Sequence, residues 1–192
     1  MTRGIEGRIK VQRTETAARS VSVRAYVPST LRLLRDARSR GGFGPAPVSA
    51  HAVTSALQAL GQGAAEEEEL EWAASVAASL DSLRLLASEP AGSGELRRVV
   101  AAVDVSSVLP PHDRGPEDVP SAVALHEVPM RRLAALLVDG PDARPHVQAA
   151  RNALASGAPE DDPVVERCLD EELGWWAASE LEVLLDGWPG SW

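Results

Sequence analysis

Lysine, cysteine, tyrosine and phenylalanine each occur once in this 192-residue chain. A single cysteine, Cys168, closes no internal disulfide, so stability must come from a packed core, and such usage fits a reducing compartment. No apolar run approaches the roughly 20 residues that a membrane-crossing helix needs. The first residues carry charges where a secretory signal needs an apolar core. A soluble cytoplasmic protein, with no membrane contact, is therefore expected. Histidine is sparse too: His51, His112, His126 and His146 are scattered, and none neighbours Cys168. With no HExxH, CxxC or EF-hand spacing, neither a metal nor a cofactor is expected. Gly41-Gly42-Phe43-Gly44 has no lysine or dinucleotide fingerprint and runs into Pro45, so it reads as a linker rather than a phosphate cradle. There is no GxSxG, and Cys168 reads as a small half-buried residue.

What is present is ordinary globular material, 44% apolar and 24% charged, long enough for one full core. The net charge is −9, but residues 1–20 run against it: Arg3, Arg8, Lys10, Arg13 and Arg19 outweigh Glu6 and Glu15 by three, leaving −12 on the remainder. A body that acidic repels phosphate backbones, which argues against nucleic acid as a partner. The same twenty residues hold the only lysine and the only isoleucines, Ile5 and Ile9, whereas the rest uses Arg, Ala, Val and Leu as a GC-rich genome dictates. Residues 1–20 are thus expected to be a disordered segment, either an upstream-start extension or a tag remnant, Ile5 to Arg8 matching a protease-tag site.

The longest periodic stretch, Glu66 to Ala87, predicts the organising helix. Four glutamates open it and Arg84 lies near its end, which suits the helix dipole. Leu70, Ala73, Ala77, Leu80 and Leu83 form its expected buried stripe, widened by Trp72, Val76 and Leu86, with Glu67, Glu71, Ser75 and Ser82 on the wet side. Before it, Val21 to Pro28 alternates as a strand. Ser29 or Thr30 caps a helix to Ser39, Val48 to Thr54 is a second strand, and Ser55 to Leu60 a turn of helix. After it, Leu96 to Val105 is apolar on both faces, as in a central strand. Leu109 to Pro120, with four prolines, reads as a surface excursion. Strands are expected at Ala122 to Val128 and Leu133 to Asp139, then a helix with Ala143, Val147, Ala150 and Leu154 on one side. A final helix is expected from Val164 to Asp186, capped by Gly187.

The whole reads as one α/β domain, residues 21–187, with a mixed sheet of about five strands packed by three to five helices and followed by a Trp-containing tail, 188–192. The pattern EELxW at Glu68 to Trp72 and again at Glu171 to Trp175, with VP closing a strand at Val27-Pro28 and Val128-Pro129, suggests a pseudo-repeat of 21–105 and 121–187. Arg24 to Leu34, RAYVPSTLRLL, together with EEELEWAA and VVAAVDV, resembles an actinobacterial domain of unknown function that opens on Tyr-Val-Pro-x-Thr. The resemblance spans about Val23 to Leu185 and implies a bacterial cytoplasmic protein; it transfers no active site.

Two functional readings follow. In the first the chain is a non-catalytic, acidic protein-binding or regulatory module. Its surface is formed by Glu67 and Glu71 at the helix start and by Trp175, Trp188 and Trp192, tryptophan being the residue most enriched at such anchors. The partner is then a protein of unknown identity, a second copy of this chain included. The alternative is a small-molecule enzyme or ligand-binding protein. In it Asp104, His126, Glu127 and Asp139, at strand ends, converge for acid-base work.

Overall fold

The computed structural model describes residues 22–61, 66–90, 95–112 and 119–187. The expected extension 1–20 and the tail residues Trp188 and Trp192 lie outside them.

The alternation at the start forms strand β1, Val23–Ser29. Helix α1, Leu31–Arg40, follows, its Thr30 side chain accepting the backbone N–H of Leu33 at 3.2 Å. It stops at Gly41, whose φ of 81° is open chiefly to glycine. Short β2, Gly42–Phe43, and β3, Val48–Ala52, lead to α2, Ser55–Leu60. The organising helix is α3, Glu67–Ser88. Then come β4, Val99–Val105; β5, Ala122–Leu125; β6, Val128–Pro129; and β7, Leu133–Asp139. The chain closes with α4, Arg144–Ala155; α5, Pro163–Leu169; β8, Leu173–Ala177; and α6, Leu181–Asp186.

Six strands form one sheet in the order β5-β3-β1-β4-β7-β8, and β2 pairs with β6 in a two-stranded ladder. The α/β class stands, one strand larger than expected, and every pairing is antiparallel. β4 lies inside the sheet, buried from Val99 through Val103, as its two-sided apolar run requires.

The sheet is covered on both faces. Leu31, Leu34 and Ala37 of α1 and Leu181 and Leu184 of α6 pack on the side bearing Ala25, Val27, Val99, Ala101, Val103, Leu136 and Val138. On the other side Ala74 and Ala78 of α3 meet Tyr26, Val100, Ala102 and Ala135. Further along α3, Leu83 and Leu86 pack with Val147, Ala150, Val165 and Cys168 of α4 and α5.

Two expectations are corrected. The length of α3 is as read, but its rotation is not. Leu83 and Leu86 of the expected stripe are buried, but so are Ala74, Ala78, Ser79, Asp81 and Ser82, whereas Leu70, Ala73, Ala77 and Leu80 are only partly buried and Trp72 stands in solvent. The small residues Ala74, Ala78 and Ser82, at successive i+4 steps, let the helix lie close on the sheet. Ser82, expected wet, is fully buried: its hydroxyl donates to the Ser29 carbonyl at 2.6 Å and accepts the Val99 N–H at 2.9 Å. The final helix expected over 164–186 is interrupted. Gly174 lowers helix propensity, Trp175 and Trp176 favour the extended chain, and the stretch joins the sheet as β8 between α5 and α6. The two EELxW segments therefore differ in form: the first lies in α3, and the second ends in a strand.

Candidate functional site

The α3 face of the sheet carries a row of directly paired residues, His51, Tyr26, Ala102, Ala135 and Ala177, one from each of β3, β1, β4, β7 and β8. Helix α3 crosses the β1 end of this row. Ala102 and Ala135, side by side beyond it, are too short to fill the space between the helix and β8. The result is an open groove of about 210 Å3, floored by Ala102, Ala135 and Leu137 and lined by Arg24, Tyr26, Glu68, Glu71, Trp72, Ser75 and Trp175.

Register explains its walls. Trp175 is the cross-strand partner of Leu137, so it rises from the same face as the floor. Trp72 comes from the second turn of α3. The rings are 68% and 66% exposed, values that exclude a core role for either. In the row beyond Tyr26, Arg24 faces Asp104 across the β1–β4 ladder, and its guanidinium donates to both carboxylate oxygens, at 2.8 and 3.3 Å. Asp104 holds the Arg24 pKa above its ordinary value. The Tyr26 hydroxyl donates to Glu71 Oε2 at 3.3 Å. Burial, then the Glu71 charge and this hydrogen bond, push the phenol up to about 12. Among the described residues neither Glu68 nor Glu71 forms an ion pair, and the nearby cation, Arg24, is committed to Asp104. The groove therefore combines exposed aromatic rings with a net negative lining, two carboxylates against one guanidinium that is hydrogen-bonded to Asp104 and also feels the Glu71 charge.

Of the expected interaction residues, Glu71 and Trp175 meet here; Glu67 is exposed on the first turn of α3, outside the groove. Trp72, expected on the buried stripe of the helix, lines the groove instead. Arg24, Tyr26, Glu68 and the alanine floor were not anticipated, although Tyr26, the only tyrosine, stands with Arg24 on the polar side of the β1 alternation.

The strand-end cluster does not converge. Its premise was one shared edge, and antiparallel pairing sends successive strand ends in opposite directions. Asp104 lies at the Val23 end of the sheet. Asp139 lies at the opposite end, beside Val99. His126 and Glu127, following β5, share that end but are four strand steps from β7, about 19 Å at about 4.8 Å per step. Asp139 is also sealed. Arg98 and Asp139 are both almost fully buried and joined by a side-chain bond of 2.7 Å from Arg98 Nη2, two of 3.1 Å from Nε, and the Arg98 N–H to Oδ2 at 2.6 Å.

A second polar cluster lies under α3. His51 Nδ1 is 2.9 Å from Ser121 Oγ and Nε2 is 3.0 Å from Asp81 Oδ2, with Arg84 on the far oxygen of Asp81. The residue types are those of a hydrolytic triad, but serine sits on the nitrogen that would hold the carboxylate, and all three are less than 10% exposed. No substrate reaches them, and the cluster ties α3 to β3 and the turn before β5. On the opposite face, a hollow of about 150 Å3 beside α1 and β2 is mainly apolar, with Arg40 its only charged lining residue. Among the described residues no group of three His, Cys, Asp or Glu side chains is arranged to hold a metal. None of their helices is long and apolar enough to cross a membrane.

Fold and groove together define a single-domain α/β protein with an open aromatic and acidic recess on one sheet face. The sequence profile of the family of unknown function DUF6912 matches residues 23–185, and the chain belongs to that family. No curated protein matches the chain, and no solved structure does.

Proposed function

We propose that the chain is a non-catalytic binding module that docks a partner protein at the groove between α3 and β8. The observation that carries this reading is the pair of exposed indoles, Trp72 and Trp175, lining one recess. Indoles in such positions are recurrent interface anchors, since each supplies a large rigid contact area at little entropic cost. The recess is also the wrong size and shape for a metabolite. Small-molecule pockets are typically about 300 to 1,000 Å3 and bury most of their ligand, whereas this one is about 210 Å3 and open. It suits one or two side chains from a partner's surface. The alternative, an enzyme built on Asp104, His126 and Asp139, loses support because Asp104 lies at one end of the sheet while His126 and Asp139, at the other, are four strand steps apart. A bacterial cytoplasmic setting suits the single, buried Cys168.

The test is capture from native lysate at low and moderate salt, using the wild-type chain and a Trp72→Ala/Trp175→Ala variant in parallel. A protein retained by the first and lost by the second is the expected result. Equal recovery by both, or none by either, would remove the groove from the function.

A further inference from the structure

The groove's charge and aromatic lining identify what part of a partner enters it. Glu68 and Glu71 bring two carboxylates to the recess. Glu71 is positioned by the Tyr26 hydroxyl, which engages one of its oxygens and leaves the other to accept. The one cation in the lining, Arg24, hydrogen-bonds Asp104 and shares its field with Glu71, so the two glutamates and Asp104 still outnumber it. Trp72 and Trp175 both line the recess, and an indole ring attracts cations to its face. The aliphatic floor of Ala102, Ala135 and Leu137 accepts the methylene stem of a long side chain. A short acid-lined groove with indole walls matches a planar, weakly hydrated cation better than a compact ammonium. A guanidinium stacks on aromatic faces and offers carboxylates a fork of N–H donors, whereas an ammonium keeps its water.

On the reading that this groove is the docking site, the geometry points to an arginine side chain of the partner as its occupant, held between Glu71 and the indoles of Trp72 and Trp175. Charge complementarity supports the choice, for the chain is strongly acidic overall, with a net −9. Attraction of this kind raises the association rate and falls with ionic strength.

The probe is a short capped peptide with one arginine flanked by glycines, alongside versions carrying citrulline, the neutral near-isostere, or lysine. Its binding is read from the indole N–H resonances of Trp72 and Trp175, identified with single Trp→Phe variants. The arginine peptide is expected to move both resonances, with the citrulline peptide at least about tenfold weaker and the lysine peptide between them. Glu71→Gln keeps an acceptor for the Tyr26 hydroxyl and should weaken arginine binding far more than citrulline binding, narrowing the difference between the two peptides. Arginine and citrulline binding alike would overturn the cation assignment and leave the groove as the docking site. No shift with any peptide, while lysate capture still depends on Trp72 and Trp175, would overturn it in the same way. Capture that does not depend on those tryptophans removes the docking site itself.

Discussion

The hydroxyl of Tyr26, the only tyrosine, donates to Glu71 at 3.3 Å, joining the first strand to the second turn of the long helix at the edge of the groove. Burial chiefly, and the Glu71 charge next, raise the phenol from its ordinary 10.0 to about 12. Between those values the unfolded chain releases a proton that the folded chain keeps. This contribution to stability is therefore complete below about pH 10 and lost as pH rises through about 12, by roughly 2 to 3 kcal/mol. Cys168, raised by burial to about 11 from 9.0, acts in the same direction at lower pH. The measurement is best made in a Cys168→Ala background. Phenolate absorbance should show a midpoint near 12 in the folded protein, and Glu71→Gln should bring it part of the way back towards 10. An unshifted midpoint in the parent would contradict the burial of this ring.

The Arg98 and Asp139 pair is held away from water, so removing one partner strands the other charge. Asp139→Ala should lower stability by about 3 to 5 kcal/mol. A double change to apolar residues of similar size, Arg98→Met with Asp139→Leu, should recover much of the loss. Chemical denaturation of the three proteins checks this; single and double variants equally destabilised would contradict the pair's isolation.

Ser82 bridges the Ser29 carbonyl and the Val99 N–H, cross-strand partners at one end of the β1–β4 ladder. Ser82→Ala leaves two buried backbone groups unsatisfied and should destabilise by about 1 to 3 kcal/mol. Hydrogen exchange at the Val99 amide should accelerate more than at amides in the middle of β4. Uniform change along the strand would place the effect elsewhere.

Much of this architecture was legible in the sequence because it rests on local pattern. Leu133 to Asp139 reads as a strand over its full length, and the ends of α3 fall within a residue of expectation. What local pattern could not supply was the rotation of α3. Alanine and leucine occur around most of that helix, so its apolar stripe is poorly defined, and the buried side is decided by partners far along the chain. Ser82 finds Ser29 and Val99, and Asp81 finds His51. That choice turns Trp72 outward and creates one wall of the groove. The other wall depends on Gly174-Trp175-Trp176 becoming a strand within a helical surrounding, and the floor on Ala102 meeting Ala135 across β4 and β7. Register of that kind follows from tertiary pairing.

Cys168 of α5 is buried against α3 and α4, and its thiol is raised by that burial to about 11. The thiolate is the reactive form, so labelling by a thiol reagent near neutral pH should await opening of the α3, α4 and α5 cluster. Its rate should rise with denaturant in step with unfolding. Rapid stoichiometric labelling of the native chain would contradict the packing.

On the proposed function, Trp72 and Trp175 anchor a partner. Calorimetric titration of the captured partner against wild type, Trp72→Ala and Trp175→Ala measures it most directly. Each single change should weaken affinity by at least about 2 kcal/mol, roughly thirtyfold, with the melting temperature unchanged because both rings are exposed. Affinity within a factor of about two of wild type for both variants would contradict the account.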